Sequence, residues 1–442
     1  MSSEKIPGER FRELLWSDLG ALDPDKYIIA TYLAVIGPYP PKRVAEEAAI
    51  ENSTGTWTPV RYETMEIRER YSAKIVGLVN ARENAYVIQL AINGENYDPE
   101  TGGLANLLAD IAGNAYDLMY LERLKLIDLH FPKSWASAFP GPKFGIEGLR
   151  ELTGTKEYRR PIIGMIVKPN LGLDPKTVAK AAYEAALGGI DFIKDDEALV
   201  NPKYCPLDER VVRVMEALDK AKSETGKMAL YAFNITMDRQ DKMMEAADLV
   251  QEHGGNHLMV CWAYVGFGGI RRLAEDPSVK VPLHIHRCGH GALSRVPDHG
   301  IDAVLISKLG RMVGADEMHA GAIEGKFHYD PAEMRRHMTV FRCEWYHIKP
   351  TLPTLSAGNH PGNIAPSLDI VGNDVMILAG GGIIGHPINT TAGAKAMLQA
   401  ADAWMKRIPV EEYAKTHEEL AAALKLWGVK REWVARVMAE SG

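Results

Sequence analysis

From Pro161 onward, short apolar runs alternate with stretches in which apolar positions recur every three or four residues. The runs PIIGMIVK (161–168), IDFIKDD (190–196), MALYAFNI (228–235), HLMVCWA (257–263), PLHIHR (282–287), EMHAG (317–321), TLPTLSAG (351–358) and VMILAGGG (375–382) read as buried strands. Between most of them lie amphipathic helical stretches such as PKTVAKAAYEAAL (175–187) and RQDKMMEAADLVQEH (239–253). Eight strands, each followed by a helix, predict an α/β chain built on a (β/α)₈ barrel, although the count also fits a doubly wound open sheet. The earlier part of the chain is patterned differently. YIIATYLAVIG (27–37) and NAYVIQLAI (84–92) read as strands rich in β-branched and aromatic residues, and residues 104–131 hold a helix followed by a further strand. Two strand–helix–strand halves predict a ferredoxin-like α+β domain. The Pro/Gly-rich segment AFPGPKFGIEGL (138–149) marks the passage out of it. The expected division is therefore an N-terminal domain over 1–138 and a barrel with C-terminal helices over 139–442.

Composition narrows the function classes. At 442 residues the chain has room for a second domain, because a barrel alone takes roughly 250. A net charge of -7 with no basic stripe argues against a nucleic-acid partner, yet leaves anionic small molecules open. Four widely spaced cysteines without a CxxC pair argue against a disulfide framework or a zinc ribbon. The N-terminus lacks the order of a signal peptide, and no apolar run approaches the ~18 residues of a spanning helix. A cytoplasmic protein with no membrane partner is expected.

In a barrel, reactive groups gather at the C-terminal ends of the strands. Here those ends carry Lys168, Lys194-Asp195-Asp196-Glu197, His286-Arg287, His319, Ser356 and Gly380–Gly382. In GGIDFIKDDEAL (188–199), Lys194 and Asp196 are two apart and share a strand face, while Glu197 follows where the chain leaves the sheet. Two carboxylates suit Mg²⁺, a hard cation that prefers oxygen ligands. A lysine ammonium beside them would repel the metal, whereas a carbamate formed from its amine and CO₂ would add a third anionic oxygen. Spacing alone also fits a solvated charge run that closes a strand.

GGIDFIKDDE resembles the activation-lysine motif of the RuBisCO large-chain superfamily, and the similarity runs over nearly the whole chain. ENSTGTWT (51–58), GMIVKPNLGL (164–173), PLHIHRCGH (282–290), MHAGAIEGKF (318–327), LPTLSAG (352–358) and LAGGGIIGHP (378–387) resemble further active-site segments of that family, in the same order. The resemblance implies that Lys194 is carbamylated by CO₂ and binds Mg²⁺ together with Asp196 and Glu197. It implies acid/base work for Lys168 and His286, with Lys326 on a closing loop. One phosphate of a phosphorylated ketose would fall to Gly380, Gly381, Thr56, Trp57 and Lys326, and the other to Arg287, His319 and Ser356, with Gly358 also at the substrate. His284 is expected to be structural. Glu51 and Asn114 also match active-site positions of this family, in which the N-terminal domain of one subunit completes the barrel site of its neighbour, so the resemblance implies that Glu51, Thr56, Trp57 and Asn114 act across subunits. A homodimer, or an assembly of dimers with shared sites, is implied.

The family's carboxylases carry a second lysine where this chain has Asn170. Without that like charge, Lys168 is expected to hold its proton more firmly. Ala357 and Phe327 also differ from the usual glycine and leucine. LVNPKYCPLDERV (199–211) and LYAFNIT (230–236) look more like RuBisCO-like proteins than like plant-type carboxylases. The leading expectation is a RuBisCO-like enolase, isomerase or decarboxylase acting on a ribulose 1,5-bisphosphate-like ketose. The alternative is an archaeal-type ribulose-1,5-bisphosphate carboxylase/oxygenase that fixes CO₂. A non-catalytic sugar-phosphate-binding barrel would not need the retained Lys168, Lys194, Asp196, Glu197 and Lys326.

Overall fold

The structure, a computed structural model, describes residues 12–430 apart from 57, 59, 324 and 327–329. Thirteen strands are found among the described residues, in two compact units. The first unit runs to Phe139 and takes in Gly289–Leu309; the second comprises Pro140–Cys288 and the chain from Gly310 onward.

In the first unit, β1 (Tyr27–Ile36), β2 (Lys74–Arg82), β3 (Ala85–Asn93) and β4 (Leu121–His130) form an antiparallel sheet in the order β4-β1-β3-β2. Helices at Pro41–Glu51 and Gly103–Ile111 complete the two halves, which is the expected ferredoxin-like pattern. Burial alternates strictly along β1, so one face enters the core and the other stays half-exposed. The pattern analysis did not pick out β2. Its second half, Val79 included, lies at the surface and ends in the polar Asn80 and Arg82, so it makes no continuous apolar run. A short strand, β10 (Gly300–Ile301), adds to β4 in parallel as a fifth member. The break at Phe139/Pro140 lies one residue from the expected division at 138, and the chain returns to the first unit through Gly289–Leu309.

The second unit is a closed parallel barrel of eight strands: β5 (Ile162–Ile166), β6 (Phe192–Lys194), β7 (Leu230–Asn234), β8 (His257–Cys261), β9 (Leu283–His286), β11 (Glu317–Gly321), β12 (Leu352–Leu355) and β13 (Met376–Ala379). Each arises from one of the eight predicted runs. Every residue of these strands is buried, as expected where helices cover a sheet whose inner face is itself packed. Ile162, Ile166, Phe192, Leu230, Met259, Leu352 and Leu378 belong to one apolar cluster. Gly164 is needed within β5, because a Cβ there would stand 2.4 Å from Leu378 Cδ2 and 3.0 Å from Phe192 Cδ1.

Buried carboxylates hold the N-terminal ends of the strands. Asp191, just before β6, accepts hydrogen bonds from Arg160 at 2.6 and 2.8 Å, from the Ile163 N–H at 2.8 Å, and from Lys227. Asp316, just before β11, accepts from the N–H groups of Phe144, Gly145 and Leu283. With these polar duties met at one end, the opposite end is left for chemistry. Among the described residues no helix is long and apolar enough to cross a membrane.

Candidate active site

At the C-terminal end of β6, alternation sends consecutive residues to opposite sides. Lys194 is fully buried and donates to the Asp195 carbonyl at 2.7 Å. Burial pushes its amine below the ordinary lysine range, although the carboxylates of Glu197 and Asp196 act the other way. Asp196 is also buried; its Oδ2 accepts from Lys168 Nζ at 2.5 Å and its Oδ1 from the Ala198 N–H at 3.1 Å. Glu197 is more open, and its Oε2 lies 3.6 Å from His286 Nε2. Asp195 points the other way, into a polar clamp: Tyr231 Oη donates at 2.6 Å, the Asn234 N–H at 2.9 Å, and Arg210 Nη2 stands at 3.2 Å. The acidic run thus separates into one anchoring carboxylate and two that face the barrel mouth.

Asn234, at the end of β7, was not singled out by the sequence reading. Its Nδ2 donates to the backbone carbonyls of Asp196 at 3.1 Å and Glu197 at 2.9 Å, fixing the turn that carries both carboxylates. The signal for it was the polar residue closing the apolar run LYAFN.

Lys168 and Asn170 follow β5. Lys168 Nζ donates to Asn170 Oδ1 at 2.8 Å as well as to Asp196, so the amide is a direct partner of this ammonium. Gly380 lies against the same side chain: a Cβ there would sit 3.2 Å from both Cγ and Cε of Lys168. Gly381 has open space in front of it. On the other side of the barrel mouth, Arg287 Nη1 donates to the Ala320 carbonyl at 2.7 Å, and His319 Nδ1 pairs with Ser356 Oγ at 2.8 Å. Arg287, His319 and Ser356 therefore form one cluster.

Behind that cluster runs a buried chain of imidazoles. His319 Nε2 is 2.8 Å from His284 Nε2, and His284 Nδ1 is 3.1 Å from Glu317 Oε1, which lies 2.7 Å from His257 Nε2. Burial raises the Glu317 carboxyl, but the neighbouring imidazoles of His257 and His284 outweigh it and hold it at about 2. Burial pushes His284 down to about 4, and drives His286 and His319 well below the ordinary histidine range, with Lys194 and the neighbouring histidines adding to it. His284, expected to be structural, touches His319 directly. Glu317 and His257 were missed, because single buried polar residues inside apolar runs carry no spacing signature.

Ala357 and Gly358 follow β12, with φ of 83° and 89°. Ala357 thus occupies backbone space that suits glycine, which accounts for the glycine usual at this position. Its carbonyl accepts from the N–H of Lys326, whose side chain is exposed. In the first unit, Glu51 ends the helix Pro41–Glu51, which packs on the short turn Asn114–Asp117 that begins with Asn114. Thr56 is exposed on the loop that follows that helix. Trp57 and Phe327 lie outside the described residues.

The donor set fits a hard cation and a carbamate. Asp196 already engages a cationic group, Glu197 offers a second open carboxylate, and burial favours the neutral, CO₂-reactive form of the Lys194 amine.

A parallel barrel with a Lys–Asp–Glu centre, a lysine facing it and an Arg–His–Ser cluster opposite has the layout of a barrel enzyme, its reactive groups gathered at the C-terminal ends of the strands. Comparison with known proteins makes this specific. The family described as the ribulose bisphosphate carboxylase large chain, catalytic domain, matches residues 145–427, and its N-terminal domain matches residues 22–135. The chain belongs to the RuBisCO large-chain family and is an enzyme of that superfamily. It is 38% identical over 406 residues to a ribulose bisphosphate carboxylase of Archaeoglobus fulgidus, covering 87% of this chain and 90% of the relative. It is also 38% identical over 424 residues to a ribulose bisphosphate carboxylase-like protein of the same organism, covering 92% and 94%. Among solved structures, the octameric Rubisco of Pyrococcus horikoshii superposes with a TM-score of 0.88 at 32% identity, covering 95% of this chain and 97% of that one. The dimeric archaeal Rubisco of Hyperthermus butylicus gives 0.86 at 32% identity, covering 95% and 100%.

Proposed function

We propose that this chain is an archaeal-type ribulose-1,5-bisphosphate carboxylase, which enolises its ketose and adds CO₂ to it. The observation that carries the reading is the convergence of Lys168, Lys194, Asp196, Glu197, His286, Arg287, His319 and Ser356 on one end of the barrel. The names of its relatives, mostly ribulose bisphosphate carboxylases, move the balance from the RuBisCO-like enolase expected from the sequence to this alternative.

On this reading the neutral Lys194 amine adds to CO₂, forming a carbamate and releasing one proton. The carbamate, Asp196 and Glu197 would hold Mg²⁺, which when bound supplies Lewis-acid polarisation of the substrate oxygens. His286, a buried neutral imidazole 3.6 Å from Glu197, accepts and returns protons on the substrate hydroxyls. The ammonium of Lys168 delivers a proton to carbon. Arg287 supplies a guanidinium fork to one phosphate, with His319 and Ser356 beside it. Gly380 and Gly381 offer backbone N–H groups to the other, with Thr56, Trp57 and Lys326. Gly358 allows the backbone to approach the substrate. Since the solved relatives are dimeric or octameric, we assign a dimer-based assembly in which Glu51, Thr56, Trp57 and Asn114 serve the partner's barrel.

The second reading, an enolase, isomerase or decarboxylase without fixation, is favoured by one observation. Asn170 accepts from Lys168 at 2.8 Å where carboxylases carry a second lysine. Ribulose 1,5-bisphosphate, Mg²⁺ and labelled bicarbonate separate the two. Acid-stable label in phosphoglycerate is the predicted outcome. Proton exchange beside the ketone without fixed label would overturn it in favour of the second reading.

A further inference from the structure

The four cysteines are far apart in sequence, but the barrel brings two of them together. Cys261 closes β8 and His286 closes β9, and the two are register partners in the parallel pair. Two residues further on, Cys288 brings its Sγ within 4.8 Å of that of Cys261. The Cys261 backbone is pinned by a 3.0 Å bond from its N–H to Thr236 Oγ1, and the Cys288 N–H donates to His286 Nδ1 at 3.2 Å. One ligand atom from each of Cys261, His286 and Cys288 lies within 4.8 Å of the other two.

We infer that these three side chains form a binding site for a borderline-soft divalent cation of the Zn²⁺ class, next to the carboxylate centre and sharing His286 with it. In a tetrahedral zinc site with Zn–S bonds of ~2.3 Å, the ligand atoms stand about 3.8 Å apart. The observed cluster meets that spacing with movements of an ångström or less. Two thiolates and an imidazole are the donors that select zinc over magnesium, just as Asp196 and Glu197 select the reverse. Cys261 is buried and Cys288 only partly so, which leaves a route from solvent on the Cys288 side. Binding releases the two thiol protons to solvent and needs no oxidant. It also removes His286 from proton transfer, so bound zinc inhibits the enzyme. That consequence rests on the proposed function; the binding itself does not.

The test uses reduced, tag-free protein and Co²⁺ as the probe, read without substrate. Cobalt should give a thiolate-to-metal charge-transfer absorption saturating at one ion per chain, which added Zn²⁺ abolishes. Cys261→Ser and Cys288→Ser should each lose the band while unfolding at the wild-type temperature. Cys343→Ser, altering a thiol near the end of a barrel helix, should keep it. If the reduced wild type shows no such band, or both site variants retain it, the inference is overturned. Failure of CO₂ fixation alone would leave the result unchanged.

Discussion

At the scale of single residues, the active site depends on which neighbour each charge is given. Lys168 shares its ammonium between Asp196 and Asn170. In Asn170→Lys a second ammonium would press on the first and favour proton release. We expect the ratio of label fixed to proton exchanged at the ketose to rise, with the pH–rate profile extending to lower pH; an unchanged ratio would shift the limitation to the loops. Asp195 has a different task, since it neutralises Arg210, whose side chain is fully buried. Asp195→Ala should cost roughly 3–5 kcal/mol in denaturant unfolding, because it strands a buried cation. A loss below about 0.5 kcal/mol, as at ordinary surface positions, would contradict this assignment. Ala357 holds a φ of 83°. Ala357→Gly should therefore leave stability unchanged or raise it by up to about 1 kcal/mol, less backbone strain being set against greater unfolded-state entropy.

Elements explain how much was legible beforehand. The eight barrel strands could be read because each is a continuous buried run bounded by polar residues. β1 could be read because it is rich in β-branched and aromatic residues. β2 could not, since half of it is exposed, and β10 is only two residues long. Contacts between strands were invisible for a similar reason. The chain of imidazoles joins β8, β9 and β11, and the thiol pair joins β8 to the residues after β9, so no spacing within one segment announces either. The imidazole chain carries a pH dependence. His284 is held to about 4 by burial, below the ordinary value of about 6.5 that it regains on unfolding. The unfolded chain therefore binds a proton that the folded chain refuses. Stability is complete above pH 6.5 and is lost as pH falls towards 4, by up to roughly 3 kcal/mol from this group. Thermal unfolding followed across that window should show the decline. A His284→Gln variant should lessen it, His286 and His319 supplying the remainder, and an equal slope in the variant would place the acid sensitivity elsewhere.

For the whole molecule, the division of labour between the two ends of the barrel is the main result. Asp191 and Asp316 spend their oxygens on backbone and cationic clamps at the N-terminal ends of the strands. At the opposite end, Lys194, Asp196 and Glu197 keep an amine and two carboxylates in reach of one another. Family membership follows from matches along nearly the full chain, while the choice between fixation and enolisation alone turns on the few ångströms around Lys168. Both readings share one claim, that the Lys194 amine takes up CO₂. The direct measurement is ¹³C NMR of the protein with ¹³CO₂ and Mg²⁺. One carbamate resonance per chain is expected, strengthened by Mg²⁺ and absent from Lys194→Met. A folded wild-type protein with no such resonance, or one that persists in Lys194→Met, would contradict it.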